Sequence, residues 1–83
     1  MDAVPGEPLE KQIREILARN PAVKDVEEIQ SHRFGPYLVI NVTIAIDGDI
    51  SLAEGDAIAM DVDRTLTAEI KMVRRVYVHY HPL

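Results

Sequence analysis

Two histidines separated by a single residue near the end of the chain, His79 and His81, have the types and spacing that could do chemistry. Side chains alternate sides along an extended strand, so a strand here stands both imidazoles on one face. Their nitrogens can then converge on a divalent cation if a third ligand arrives from elsewhere. The same spacing is common on plainly solvated strands, and the pair alone leaves both readings open. Asp56 is a candidate carboxylate, but the dipole of a helix beginning just before it already favours a negative charge there. It serves as a ligand only if it points back over the last strand toward His79. The acidic residues Asp47, Asp49, Glu54, Asp56, Asp61 and Asp63 attract cations by field alone. His32 stands beside Arg33 in a turn and reads as solvated.

Composition narrows the chemistry. The 83 residues contain no Cys, which removes disulfides, thiolate metal sites and Cys nucleophiles and leaves His, Asp, Glu and Asn as metal ligands. Nine Lys and Arg against fourteen Asp and Glu give a net charge of -5, which opposes a phosphate backbone, so no nucleic-acid partner is expected. The apolar stretch 37–46 is about half the roughly 20 residues a bilayer-spanning helix needs, and direct membrane insertion of this segment is not expected. Asp47-Gly48-Asp49-Ile50-Ser51 begins like an EF-hand loop, yet the sixth position is Leu52 instead of Gly and the twelfth Ile58 instead of Glu. There is neither a phosphate-cradling Gly-rich loop nor a Gly-x-Ser-x-Gly elbow, and His79 as a base has no paired nucleophile or acid. The chain is expected to be no enzyme.

The elements that must position these residues follow from periodicity. Residues 1–8 carry prolines and acids without a basic start or an apolar stretch, and read as a linker or an artificial start. Leu9, Ile13, Ile16 and Leu17 form one helical stripe, predicting a helix over 8–19 that Asn20-Pro21 ends. Residues 23–32 form a strand that meets the turn formers Gly35-Pro36. Leu38, Ile40, Val42, Ile44 and Ile46 alternate strictly with Tyr37, Val39, Asn41, Thr43 and Ala45, predicting a second strand with one core face. Ser51 and Glu54 make a capping box for a helix to about residue 70, with Leu52, Ile58, Val62 and Leu66 as its buried side and Ala59 beside them. A third strand spans 74–81, with Val76, Val78 and Tyr80 on one face and Tyr77, His79 and His81 on the other.

The strand–helix–strand crossover makes the second and third strands parallel, while the short turn makes the first two antiparallel. The fold class is therefore α+β: an αββαβ two-layer sandwich with a three-stranded mixed sheet and both helices on one face. The other face, bearing Val39, Asn41, Thr43, Tyr77, His79 and His81, is left open for a partner or for solvent.

Taken in order, several stretches resemble the cytoplasmic C-terminal domain of the cation diffusion facilitator family. They are Asn20-Pro-Ala-Val23 with Val26, Arg33-Phe-Gly35, the ladder from Leu38 to Ile46, Ser51-Leu-Ala-Glu54-Gly-Asp56-Ala-Ile58-Ala59, and Val76-Tyr-Val78-His79-Tyr-His81-Pro82. The resemblance covers residues 9–82 and extends the domain over 9–83. It implies a ferredoxin-like, metallochaperone-like fold on the cytoplasmic side of a membrane, attached to the transmembrane domain of a Zn, Fe or Mn transporter. It also implies a homodimer whose two arms are drawn together by bound cations into a transport-competent closed arrangement. The family's recognisable His at the start of the second helix is Asp56 here, the His of the last strand is kept as His79, and the position two further on, often acidic, is His81. Glu27 and Thr43 stand where zinc exporters can have His, and Asn41 where some magnetosome members have an acid. Thr43 would ligate poorly. The resemblance thus implies a divalent-cation site from Asp56, His79 and His81, with Glu27 and Asn41 as further ligands, and Zn ahead of Fe or Mn as the ion. Dimer contacts are expected along the open sheet face and the last strand. The alternative is a stand-alone α+β module that binds a ligand or joins an assembly without any transporter.

Overall fold

The computed structural model describes residues 7–83, so the segment 1–8 read as a linker lies outside the described residues except for Glu7 and Pro8, which are helical. The elements are α1 (Glu7–Ala18), β1 (Asp25–Phe34), β2 (Tyr37–Ile46), α2 (Leu52–Glu69) and β3 (Val73–Pro82). All five expected elements are present, in the expected order. Pro8 is tolerated because the first helical turn needs no amide donors. α1 stops where Asn20 turns its side chain back to accept from the amide of Ala22, ahead of Pro21.

The sheet order is β1-β2-β3, with β1 antiparallel and β3 parallel to β2. Gly35, at φ 59°, supplies the left-handed position that a two-residue hairpin turn requires. Ser51 caps α2: its hydroxyl accepts from the amide of Glu54, whose carboxylate accepts from the amide of Ser51.

The core lies between the sheet and the helices. Ile13 and Leu17 of α1, Ile40, Val42 and Ile44 of β2, and Val62 and Leu66 of α2 are essentially fully buried. Each such side chain contributes about 1.5–3 kcal/mol relative to exposure. Arg19 pairs with Glu69 at 2.7 Å and Asn20 donates to Asp61 at 3.0 Å, joining the end of α1 to α2. Leu52 departs from expectation: it is 77% exposed. It opens the first turn of α2, where the residue turned inward is Gly55, packed on Tyr80. Helical periodicity therefore holds from Ile58 onward but not in that turn.

Two bulges shape the sheet. Register shifts between Val26 and Glu28 of β1, leaving Glu27 as the extra residue, and between Val73 and Arg75 of β3, leaving Arg74 as the extra residue. Each bulge lets apolar residues three apart, Val26 with Ile29 and Val73 with Val76, reach the same core.

Candidate cation site

On the face away from the helices, β2 presents Asn41, Thr43 and Ala45. Register places Tyr77, His79 and His81 of β3 beside them on one side and Gln30, Glu28 and Asp25 of β1 on the other. The bulge turns Glu27 across this face. Its carboxylate meets His81 Nε2 at 2.5 Å, joining the two outer strands over the central one. The pair spans β2 above Ala45, which has no exposed surface although it belongs to the otherwise open face. A larger side chain at position 45 would stand where the pair crosses.

The partners of His81 define its chemistry. Nδ1 lies 3.3 Å from the carbonyl oxygen of Pro82, and Nε2 faces Glu27. A carbonyl and a carboxylate only accept hydrogen bonds, so a ring satisfying both carries both protons. The Glu27 bond, with help from the Pro82 carbonyl and the Glu27 charge, raises the His81 pKa above its ordinary 6.5. A cation taking Nε2 must displace that proton.

Asp56 lies on the other side of the sheet. Its carboxylate accepts a 2.7 Å hydrogen bond from the Tyr80 hydroxyl, and Tyr80 belongs to the core-facing set of β3. This bond is the main reason the Tyr80 pKa is raised above its ordinary 10.0. Asp56 thus points over the last strand toward Tyr80 and away from His79, which stands exposed on the opposite face beside Thr43. Asn41, half-buried between Gln30 and Tyr77, lies two residues up β2 from Thr43. Of the five expected ligands, one chain brings together only Glu27 and His81. Among the described residues no three of His, Asp and Glu are placed to hold one metal ion.

Sequence reasoning missed Tyr80 as the residue that orients Asp56. The available signal was Gly55: glycine inside a helix marks a close approach, and a Cβ there would lie 2.8 Å from the Tyr80 ring. It also missed the bulge that aims Glu27, which the spacing of Val26 and Ile29 signals by breaking the two-residue period.

The model of the cation efflux protein cytoplasmic domain matches residues 5–83, almost the whole chain. The chain belongs to this family. The cytoplasmic domain is also 22% identical over 72 residues to the manganese efflux system protein MneP of Bacillus subtilis, covering 87% of the chain and 24% of that protein. It spans about a quarter of that relative. Among solved structures, the cytosolic domain of a cation diffusion facilitator family protein superposes with TM-score 0.86 at 21% identity, covering 92% of this domain and 90% of that chain. The metal-bound C-terminal domain of the CzcD transporter from Thermotoga maritima superposes with TM-score 0.84 at 20% identity, covering 88% and 85%. A nickel form of a MamM C-terminal domain variant gives 0.88 at 19% identity, covering 94% and 99%. At these identities the superpositions establish a shared fold. The αββαβ sandwich is that of the cation diffusion facilitator C-terminal domains. The family is one of transporter cytoplasmic domains, not of enzymes. Among the described residues no helix is long and apolar enough to cross a membrane.

Proposed function

We propose that this chain is the regulatory part of a divalent-cation transporter, which pairs with a second copy and binds cations between the copies to favour a closed, transport-competent arrangement. The observation that carries the reading is the convergence of Glu27 and His81 on the uncovered sheet face. An imidazole and a carboxylate fit Zn, Mn or Fe, and the absence of Cys leaves no thiolate donor. Metal-bound relatives with the same fold, and a manganese efflux relative, support a cation as the ligand.

Two ligands from one chain do not hold such an ion, which takes at least four donors in all. The remainder comes from the second copy. β3 is an edge strand, so His79 and His81 on one side of it and Asp56 on the other all lie near the border where another copy docks. In this arrangement Asp56, His79, His81, Glu27 and Asn41 form the site jointly, with Tyr80 holding Asp56 in place as an outer partner. Because the ligands are divided between chains, a cation binds the closed pair more tightly than the open one, and that difference in affinity is what shifts the population. Zn leads Fe and Mn for a set containing two imidazoles.

Titrating Zn, and in parallel Mn, into the purified chain should raise its Tm and compact the dimer, as read by calorimetry and small-angle scattering. The double substitution His79→Ala with His81→Ala should abolish both responses. Unchanged responses in that variant would remove the site.

A further inference from the structure

The cations of this acidic chain are unevenly placed. Arg33, Lys71, Arg74 and Arg75 lie within two segments, 31–38 and 70–77, that contain no Asp or Glu, while all fourteen acids lie elsewhere against the remaining five Lys and Arg. The structure joins these segments at one end of the sheet: Leu38 pairs with both Arg33 and Val73, and its amide donates to the carbonyl of Met72. Among the described residues none of the four cations pairs with a carboxylate. Lys71 follows the end of α2, where the helix dipole accounts for one positive charge, but this leaves the three arginines unexplained.

Aromatic and apolar side chains share this end. Arg74 lies 5.0 Å over the Tyr37 ring and Arg75 5.9 Å over the Tyr77 ring. Both guanidinium groups are thus held in place by cation–π contact. Phe34 at the hairpin tip is 63% exposed, and Tyr37 and Met72 are exposed beside it. From Tyr37 to Ala45 the central strand runs about 26 Å at about 3.3 Å per residue. That exceeds the roughly 10 Å Debye length at 0.1 M salt, so the acids near Ala45 do not cancel the field of the tip.

We propose that this basic, aromatic-tipped end docks onto the anionic lipid headgroups of a bilayer. Positive charge attracts such a surface, and aromatic side chains settle at headgroup level. The acidic remainder is repelled, so the domain docks end-on, with Phe34 and Tyr37 foremost. This rests on the reading above only in requiring a membrane within reach, and it supplies that reading with a second, metal-independent tether.

Flotation with vesicles tests it. The chain should float with phosphatidylcholine vesicles containing phosphatidylglycerol and not with phosphatidylcholine alone, and binding should fall as salt rises. Each of Arg74→Gln and Arg75→Gln should lower the partition coefficient about fivefold, and Phe34→Ala should weaken it at unchanged charge, with circular dichroism confirming that each variant is folded. Equal flotation with neutral vesicles, or no loss in the arginine variants, would overturn the proposal. So would self-association in sedimentation velocity that vanishes in those variants without any flotation, which would assign the tip to the acidic end of a second copy. The arginine variants should keep the Zn-induced rise in Tm, and His79→Ala with His81→Ala should keep flotation, so the two proposals fail separately.

Discussion

Glu27 and His81, 54 residues apart, are hydrogen-bonded across the central strand and cover Ala45. The bond fastens one outer strand to the other on a face that is otherwise open, and it favours the protonated form of His81.

The first consequence is a pH dependence of known sign. The folded pKa of His81 is raised above the ordinary 6.5, so its contribution to stability is fully present below that value and is lost as pH rises through the folded pKa. Unfolding midpoints should fall over that window, above pH 6.5. Glu27→Gln should reduce the dependence to what the Pro82 carbonyl sustains, and proton NMR should show the His81 titration moving back toward the ordinary value.

Cation binding at the same pair should release protons. His81 holds a proton that a metal must displace, so affinity for Zn should rise as pH increases through the His81 pKa. Calorimetry in buffers of different ionisation enthalpy should detect the proton release, and Glu27→Gln should reduce it.

Gly55 and Tyr80 make a third test. A Cβ at position 55 would lie 2.8 Å from the Tyr80 ring, so Gly55→Ala should destabilise by about 1–3 kcal/mol even though alanine is the better helix former. Replacing Tyr80 by Val in the same chain removes the clash, and a double-mutant cycle should show strong non-additivity.

Tyr80→Phe separates orientation of Asp56 from packing. The exposed hydrogen bond is expected to contribute at the low end of about 0.5–1.5 kcal/mol, so stability should change little. If Asp56 ligates the cation, its affinity should fall in Tyr80→Phe and more so in Asp56→Ala.

Two leucines of one helix should behave in opposite ways. Leu66 is fully buried, and Leu66→Ala should cost about 2–5 kcal/mol in denaturant unfolding. Leu52, exposed at the start of α2, should tolerate the same change within about 0.5 kcal/mol.

That contrast shows where sequence patterns stop carrying information. Alternation over Tyr37–Ile46 selected the core face of β2 because strand periodicity is a property of each residue's own backbone. Ser51 and Glu54 announced the start of α2 because a capping box closes within four residues. Leu52 fitted the helical stripe equally well, yet whether a stripe residue is covered depends on how far the opposing layer extends, and at that turn the cover is Tyr80 against Gly55.

The absence of thiolates, the acidic balance, the order of the five elements and the pairing of His79 with His81 on one strand face were all determined by the chain as written. Tertiary structure alone decided which carboxylate meets which group: the β1 bulge aims Glu27 across Ala45 to His81, and the crossover through α2 delivers Asp56 to Tyr80. Local periodicity says which way a side chain leaves its own backbone. What it then meets is set by register, bulges and strand order, which join residues far apart in the chain.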